Sequence, residues 1–167
     1  MTATLVKKGQ SVENTLEAFQ VLRRAGIYPM PMMMHHDDQP LYTRGSPYGL
    51  LNQIRILRRA GAVSLQVLMI TPAPGSKTYE EAFTSGLVYR SVGGRAVEPH
   101  MWDGNFVIAS KSPRPWRKQL NILTAYAYFY NPLRLLVAIA RPKSRLYLAD
   151  ALGQIVGMRG LVQTVRR

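Results

Sequence analysis

The chain alternates between two hydrophobic periods. From Ser11 to Ala25, Val12, Leu16, Phe19 and Leu22 fall on one helical face, and Gly26 ends the pattern. Ile27 to Met34 then reads as a strand. Pro29 and Pro31 remove ladder donors, so it must be short or lie at an edge. The same order returns further on. Ser46 and Pro47 start a second helix with Leu50, Ile54 and Leu57 as its buried stripe, and an apolar run from Val63 to Ile70 follows Gly61. Both helices end in Leu-Arg-Arg-Ala-Gly, at Leu22 and again at Leu57. Two helix-to-strand units in series predict an α/β fold with a parallel sheet, or part of a (β/α) barrel. Units in the same order place the C-terminal ends of their strands on one side, where ligands bind in such folds.

The second strand runs into Thr71-Pro72-Ala73-Pro74-Gly75, a stiff loop. Ser76 is the predicted N-cap of a helix over 77–85, and Gly86 stops it. After Gly86 the period changes. Residues 87–98 predict a hairpin about Gly93-Gly94, and Phe106 to Ser110 a short strand. His100, Trp102 and Asp103 between them read as a packed aromatic beside a polar turn. Three helices complete the pattern: Trp116 to Tyr130, Leu133 to Ala140, and Leu146 to Thr164, the last weakened by Gly153, Gly157 and Gly160. Near the start, Thr4-Leu5-Val6 reads as a strand stub.

Charge separates the tail from the rest. Residues 1–110 carry 11 Lys/Arg and 8 Asp/Glu, a net +3, whereas residues 111–167 carry 11 Lys/Arg and Asp150 alone, a net +10. A tail of that sign meets phosphates, anionic lipid or an acidic surface of the same enzyme. The chain has no cysteine, which excludes a disulfide, a thiolate metal site and an iron–sulfur cluster held by this chain. No run reads as a bilayer span and no secretory segment is visible, so a cytoplasmic setting is expected. Walker A, G-x-G-x-x-G, G-x-S-x-G and H-E-x-x-H motifs are all missing from the sequence. The polar cluster best placed for chemistry is His35-His36-Asp37-Asp38, at the C-terminal end of the first strand. The same four residues also read as a solvated loop. His35→Ala is expected to leave folding nearly intact.

The two LRRAG units, the polar loop and LQVLMITPAPGSKTYEEAFTSGLV together resemble the later half of a radical S-adenosylmethionine (radical SAM) barrel. The likeness is to the subfamily with an N-terminal cobalamin-binding domain. Its segment after the last barrel strand is matched here by Thr71, Pro72, Pro74, Gly75, Ser76 and Tyr79. The tail pieces VGG, DGNFVIAS, PWRKQLN and FYNPLRL are similar to its C-terminal extension. That family holds a [4Fe–4S] cluster on C-x-x-x-C-x-x-C, which has no counterpart here. The resemblance therefore implies a fragment: residues 1–86 as the C-terminal part of the barrel, 87–111 as a hairpin and strand extension, and 112–167 as a basic helical extension.

The resemblance further implies S-adenosylmethionine against Met34, His35, Met69, Ile70 and Thr71, largely through backbone and apolar contacts. The substrate mouth would comprise His36, Asp37, Asp38, Pro72, Pro74 and Gly75. No residue of this chain is assigned as catalytic or as a metal ligand. The cluster, and in this subfamily cobalamin, would belong to the intact enzyme. The expected partners are the missing N-terminal half, in the same chain or as a separate subunit, and a small-molecule substrate. Alone, a half barrel would expose an unpaired strand edge and an uncovered apolar sheet face, and dissolve poorly. The alternative is a basic adaptor that binds RNA or an anionic membrane through residues 111–167. Nucleic acid is not expected under the first reading, and a peripheral membrane contact through the tail is open under both.

Overall fold

The computed structural model describes residues 11–71, 75, 77–92, 94–140 and 147–166. Helix α1 (Val12–Arg24) begins at Ser11, whose Oγ accepts the Asn14 N–H at 3.1 Å. Strand β1 (Met32–His35) follows, then α2 (Leu50–Arg59) and β2 (Gln66–Met69). α2 starts later than Ser46-Pro47 predicts. Ser46 instead accepts the Tyr48 N–H within a turn, and Asn52 bonds the N–H and C=O of Thr43, pinning the loop before the helix.

β1 and β2 pair in parallel, Met32 opposite Gln66 through His35 opposite Met69. Each strand is shorter than its apolar run. The pairing nevertheless reaches back through the prolines, because Pro29 and Pro31 take part only as acceptors, from Val63 N–H (3.1 Å) and Gln66 N–H (3.0 Å). Pleating puts Met33, His35, Val67 and Met69 on the covered face. Met32 and Met34 lie on the other face and are exposed; with Met30 (74% exposed) they form an open methionine strip.

The remaining elements are α3 (Lys77–Thr84), the antiparallel hairpin β3 (Ser91–Val92) with β4 (Arg95–Ala96), a 3-10 turn (Pro99–Asp103), α4 (Pro115–Phe129), α5 (Pro132–Ala140) and α6 (Tyr147–Arg166). The strand predicted over Phe106 to Ser110 is only a single bridge, Val88 to Ala109. Two parallel strands form the larger sheet, and no closed barrel is present among the described residues. The predicted strand stub at Thr4-Leu5-Val6 lies outside them.

One apolar core runs through all three predicted segments. Phe19, Leu50, Ile54, Val67 and Met69 meet Val107 and then Ile122, Ala125 and Phe129 of α4. Leu50, Ile54, Ile122 and Phe129 are almost wholly removed from water. Burial of side chains of this size contributes about 1.5–3 kcal/mol each. The basic extension thus contributes Ile122, Ala125, Phe129 and Tyr130 to the hydrophobic core.

α4 also closes the free edge of β2. The Tyr130 hydroxyl bonds both the N–H (2.7 Å) and the C=O (2.9 Å) of Leu65, and the Tyr126 hydroxyl does the same at Val67, at 3.0 Å each way. Met69 N–H donates to Gly104 C=O at 2.7 Å. Four residues of helix rise about 6 Å, and two residues of strand about 6.6 Å, so tyrosines one turn apart match alternate strand residues. The exposed edge expected of a half barrel is therefore absent at β2. The uncovered apolar face is present, on β1.

By length and composition the run Pro115–Ala140 is apolar enough to cross a membrane, with a mean hydropathy of 1.2, which modifies the expectation that no such run exists. Tyr130 leaves helical geometry and divides the run into α4 and α5, and Asn131 Oδ1 accepts the Arg134 N–H at the new start. The glycines of α6 also have a use beyond weakening it. A Cβ on Gly153 would press on the Val63 carbonyl, and one on Gly157 would overlap the Tyr130 ring.

Candidate functional site

The C-terminal ends of β1 and β2 lie side by side: Ile70 N–H donates to His35 C=O at 3.0 Å. A cavity of about 210 Å³ opens over them, lined by His36, Asp37, Asp38, Met69 and Ile70 on the strand side and by Leu87, Ala109, Ser110 and Lys111 opposite. The predicted juxtaposition of the polar loop with the end of the second strand is realised. Pro72 and Pro74 lie outside the described residues. Gly75 is described, with φ +80°, a conformation that favours glycine.

Asp37 ties the two walls together. One carboxylate oxygen accepts a short hydrogen bond from Ser110 Oγ, and the other accepts the Lys111 N–H at 2.7 Å. Asp38 beside it is exposed. Lys118 of α4 donates from Nζ to Gln39 C=O at 3.0 Å. Partial burial lowers the Lys118 pKa, and Asp37 and Asp38 oppose that shift.

The two histidines differ in role. His35 is fully buried. Its Nδ1 pairs with Gln39 Oε1 (2.9 Å) and its Nε2 with Asn121 Nδ2 (3.3 Å). Gln39 donates in turn to Tyr48 C=O and Gln53 Oε1. Burial is the main cause that pulls the His35 pKa down to about 4, so the ring is neutral at pH 7, with Nδ1 carrying the proton as the partner of an amide oxygen. His35 is a scaffold residue in a closed polar network. For His35 this overturns the solvated-loop reading, and its burial argues against the expected tolerance of His35→Ala. His36 is also buried, lies 5.9 Å from the Tyr48 ring centroid and has its pKa lowered mainly by burial. Its Nε2 has no hydrogen-bond partner among the described residues, and the residue lines the cavity. A buried, unpaired imidazole nitrogen is costly unless a ligand or water meets it, and His36 is the residue of the mouth with such a nitrogen.

The five residues expected against S-adenosylmethionine are divided. Met34 faces the open side of the sheet, while His35 and Met69 are register partners on the covered side. Ile70 is partly buried at the cavity, and Thr71 donates back to Met69 C=O at 3.3 Å. Only the backbone of these strand ends is common to one place. Sequence reading misses Ser110, Lys111, Lys118 and Asn121, which reach the site from 73 to 86 residues away in sequence. Nothing in their local pattern distinguishes them.

Among the described residues no group of His, Cys, Asp and Glu could hold a metal ion. Set against known proteins, the chain matches no family model, no curated protein and no solved structure.

Proposed function

We propose that this chain forms the last two strands and the C-terminal lid of a radical SAM barrel of the cobalamin-binding subfamily, completed by a cluster-bearing half. One observation carries the reading. The outer edge of β2 is closed by Tyr126, Tyr130 and Gly104, so this sheet can grow only past β1. The open methionine face of β1 is where further barrel packing would fall. That polarity is what the final strands of a barrel require, with the missing strands preceding them in order.

A cluster does not fit this chain, which has no thiolate, and no step is assigned to it here. A small polar ligand does fit the mouth, where the His36 imidazole nitrogen is unpaired. A cavity of about 210 Å³ is below the usual range for a whole cofactor, so it would form one wall of a larger site. This chain would supply backbone at the strand ends, a hydrogen bond from His36, and exclusion of water by the Asp37–Ser110 closure.

The test is co-purification with a polypeptide that carries C-x-x-x-C-x-x-C and is encoded in frame or beside this gene. The complex should bind iron and sulfide and release 5′-deoxyadenosine on reduction, and the chain alone should take up no cluster. Met32→Glu should abolish the complex without unfolding the chain. A monodisperse, cooperatively unfolding monomer with no such coding sequence beside it would sink the proposal.

A further inference from the structure

A second, larger cavity lies away from the strand ends, where the end of α2 meets α5 and α6. It measures about 640 Å³. Five arginines line it: Arg23, which donates to Gly61 C=O, and Arg55, Arg58, Arg59 and Arg134; Asp150 is the only carboxylate in its lining. No ion pair joins Arg55, Arg58, Arg59 or Arg134 to a carboxylate among the described residues. Two are held in place by other contacts. Arg58 donates from Nη1 to Phe129 C=O at 2.7 Å and lies over the Phe129 ring, and Arg134 lies over the Tyr128 ring. Burial, and then the charge of Arg134, lower the Arg58 pKa to about 10, and Asp150 opposes that shift only in part.

The cleft continues into an apolar surface. Leu133, Val137 and Tyr147 line it and are themselves exposed. Beyond them α5 exposes Leu136 and Ile139, and α6 exposes Leu148, Leu152, Ile155 and Val156 (69%). Exposed aliphatic residues on two adjoining helices, beside a cationic cleft, form a patch unusual for a surface that faces only water. Arginine forks match phosphate oxygens two at a time. Exposed aliphatic side chains beside them suit the acyl boundary of a bilayer.

We propose that the α5–α6 face docks on an anionic phospholipid surface, with lipid phosphate entering the arginine cleft and the exposed aliphatic residues entering the boundary beneath the headgroups. Charge complementarity selects this occupant: five arginines, Arg23, Arg55, Arg58, Arg59 and Arg134, line the cleft against Asp150 alone. The inference is independent of the barrel reading, since the cleft does not include the strand ends.

The experiment is vesicle co-sedimentation of the full chain. It should bind vesicles containing phosphatidylglycerol on the order of 100-fold more tightly than pure phosphatidylcholine, at about a tenfold gain per one or two basic groups at the surface. Raising salt should weaken binding. Arg55→Gln with Arg59→Gln, both at exposed positions, should cost about tenfold with thermal unfolding unchanged. Leu136→Ser with Val156→Ser should also weaken it, again without a change in unfolding. Inorganic phosphate at the same phosphate concentration should not displace the protein. Equal binding to both vesicle types, binding to neither, displacement by inorganic phosphate, or preference for single-stranded RNA over vesicles would each overturn the proposal.

Discussion

The hydroxyl of Tyr130 takes the place of a neighbouring strand for Leu65, donating to its C=O and accepting its N–H. With Tyr126 at Val67, a helix from the basic extension completes the edge of the parallel sheet through side chains. Stability of the strand pair and folding of the extension are therefore one event.

Removing that contact should be measurable. Tyr130→Phe leaves the Leu65 N–H and C=O buried without partners, at a cost of about 1–3 kcal/mol. Tyr126→Phe should cost a similar amount. Urea denaturation gives the loss, and hydrogen exchange should show faster exchange at the Leu65 and Val67 amides in the matching variant. Unchanged protection at both amides would refute the edge closure.

Gly157→Ala raises helix propensity by about 1 kcal/mol, yet the new methyl would occupy the Tyr130 ring position. Overpacking of this kind costs about 1–3 kcal/mol, so the variant should be destabilised or neutral, with exchange at Leu65 accelerated. Gly160 has open space around it, and Gly160→Ala should be stabilising. Reversal of that order in thermal melts would show that α6 does not seat on Tyr130.

His35 makes stability pH-dependent. Its folded pKa of about 4 lies below the ordinary 6.5, so the unfolded chain takes the proton first. Its contribution is complete above pH 6.5 and is lost as pH falls towards 4, by about 3 kcal/mol. His36 shifts in the same direction. His35→Gln should be less stable at pH 7 but flatter between pH 7 and 4. His35→Ala should lose about 2–4 kcal/mol at pH 7, since Gln39 and Asn121 lose their partner and a cavity forms. Parallel pH profiles for wild type and His35→Gln would exclude this assignment.

Asp37→Asn turns one of two acceptors into a donor, facing either Ser110 Oγ or the Lys111 N–H. A loss of about 1–3 kcal/mol is expected, with exchange at Lys111 accelerated and β1–β2 protection retained. Global loss of protection would mean that the link holds the fold as well as the mouth.

The sequence by itself determined the two repeated helix-to-strand units, their parallel order and the shared end at which the polar loop sits. These follow from local rules: apolar period, C-cap glycine, and the fixed sense of a unit that repeats. Helix breaks at Asn131-Pro132 were legible for the same reason. Only the tertiary structure decided that His35 is a buried scaffold residue and His36 the unpaired one, because pleating separates neighbours that look alike in sequence. It alone put Ser110 and Lys111 on Asp37, Tyr130 on Leu65, and five arginines around one cleft. Such contacts join residues distant in the chain, and no local period encodes which side chains meet once the core has closed.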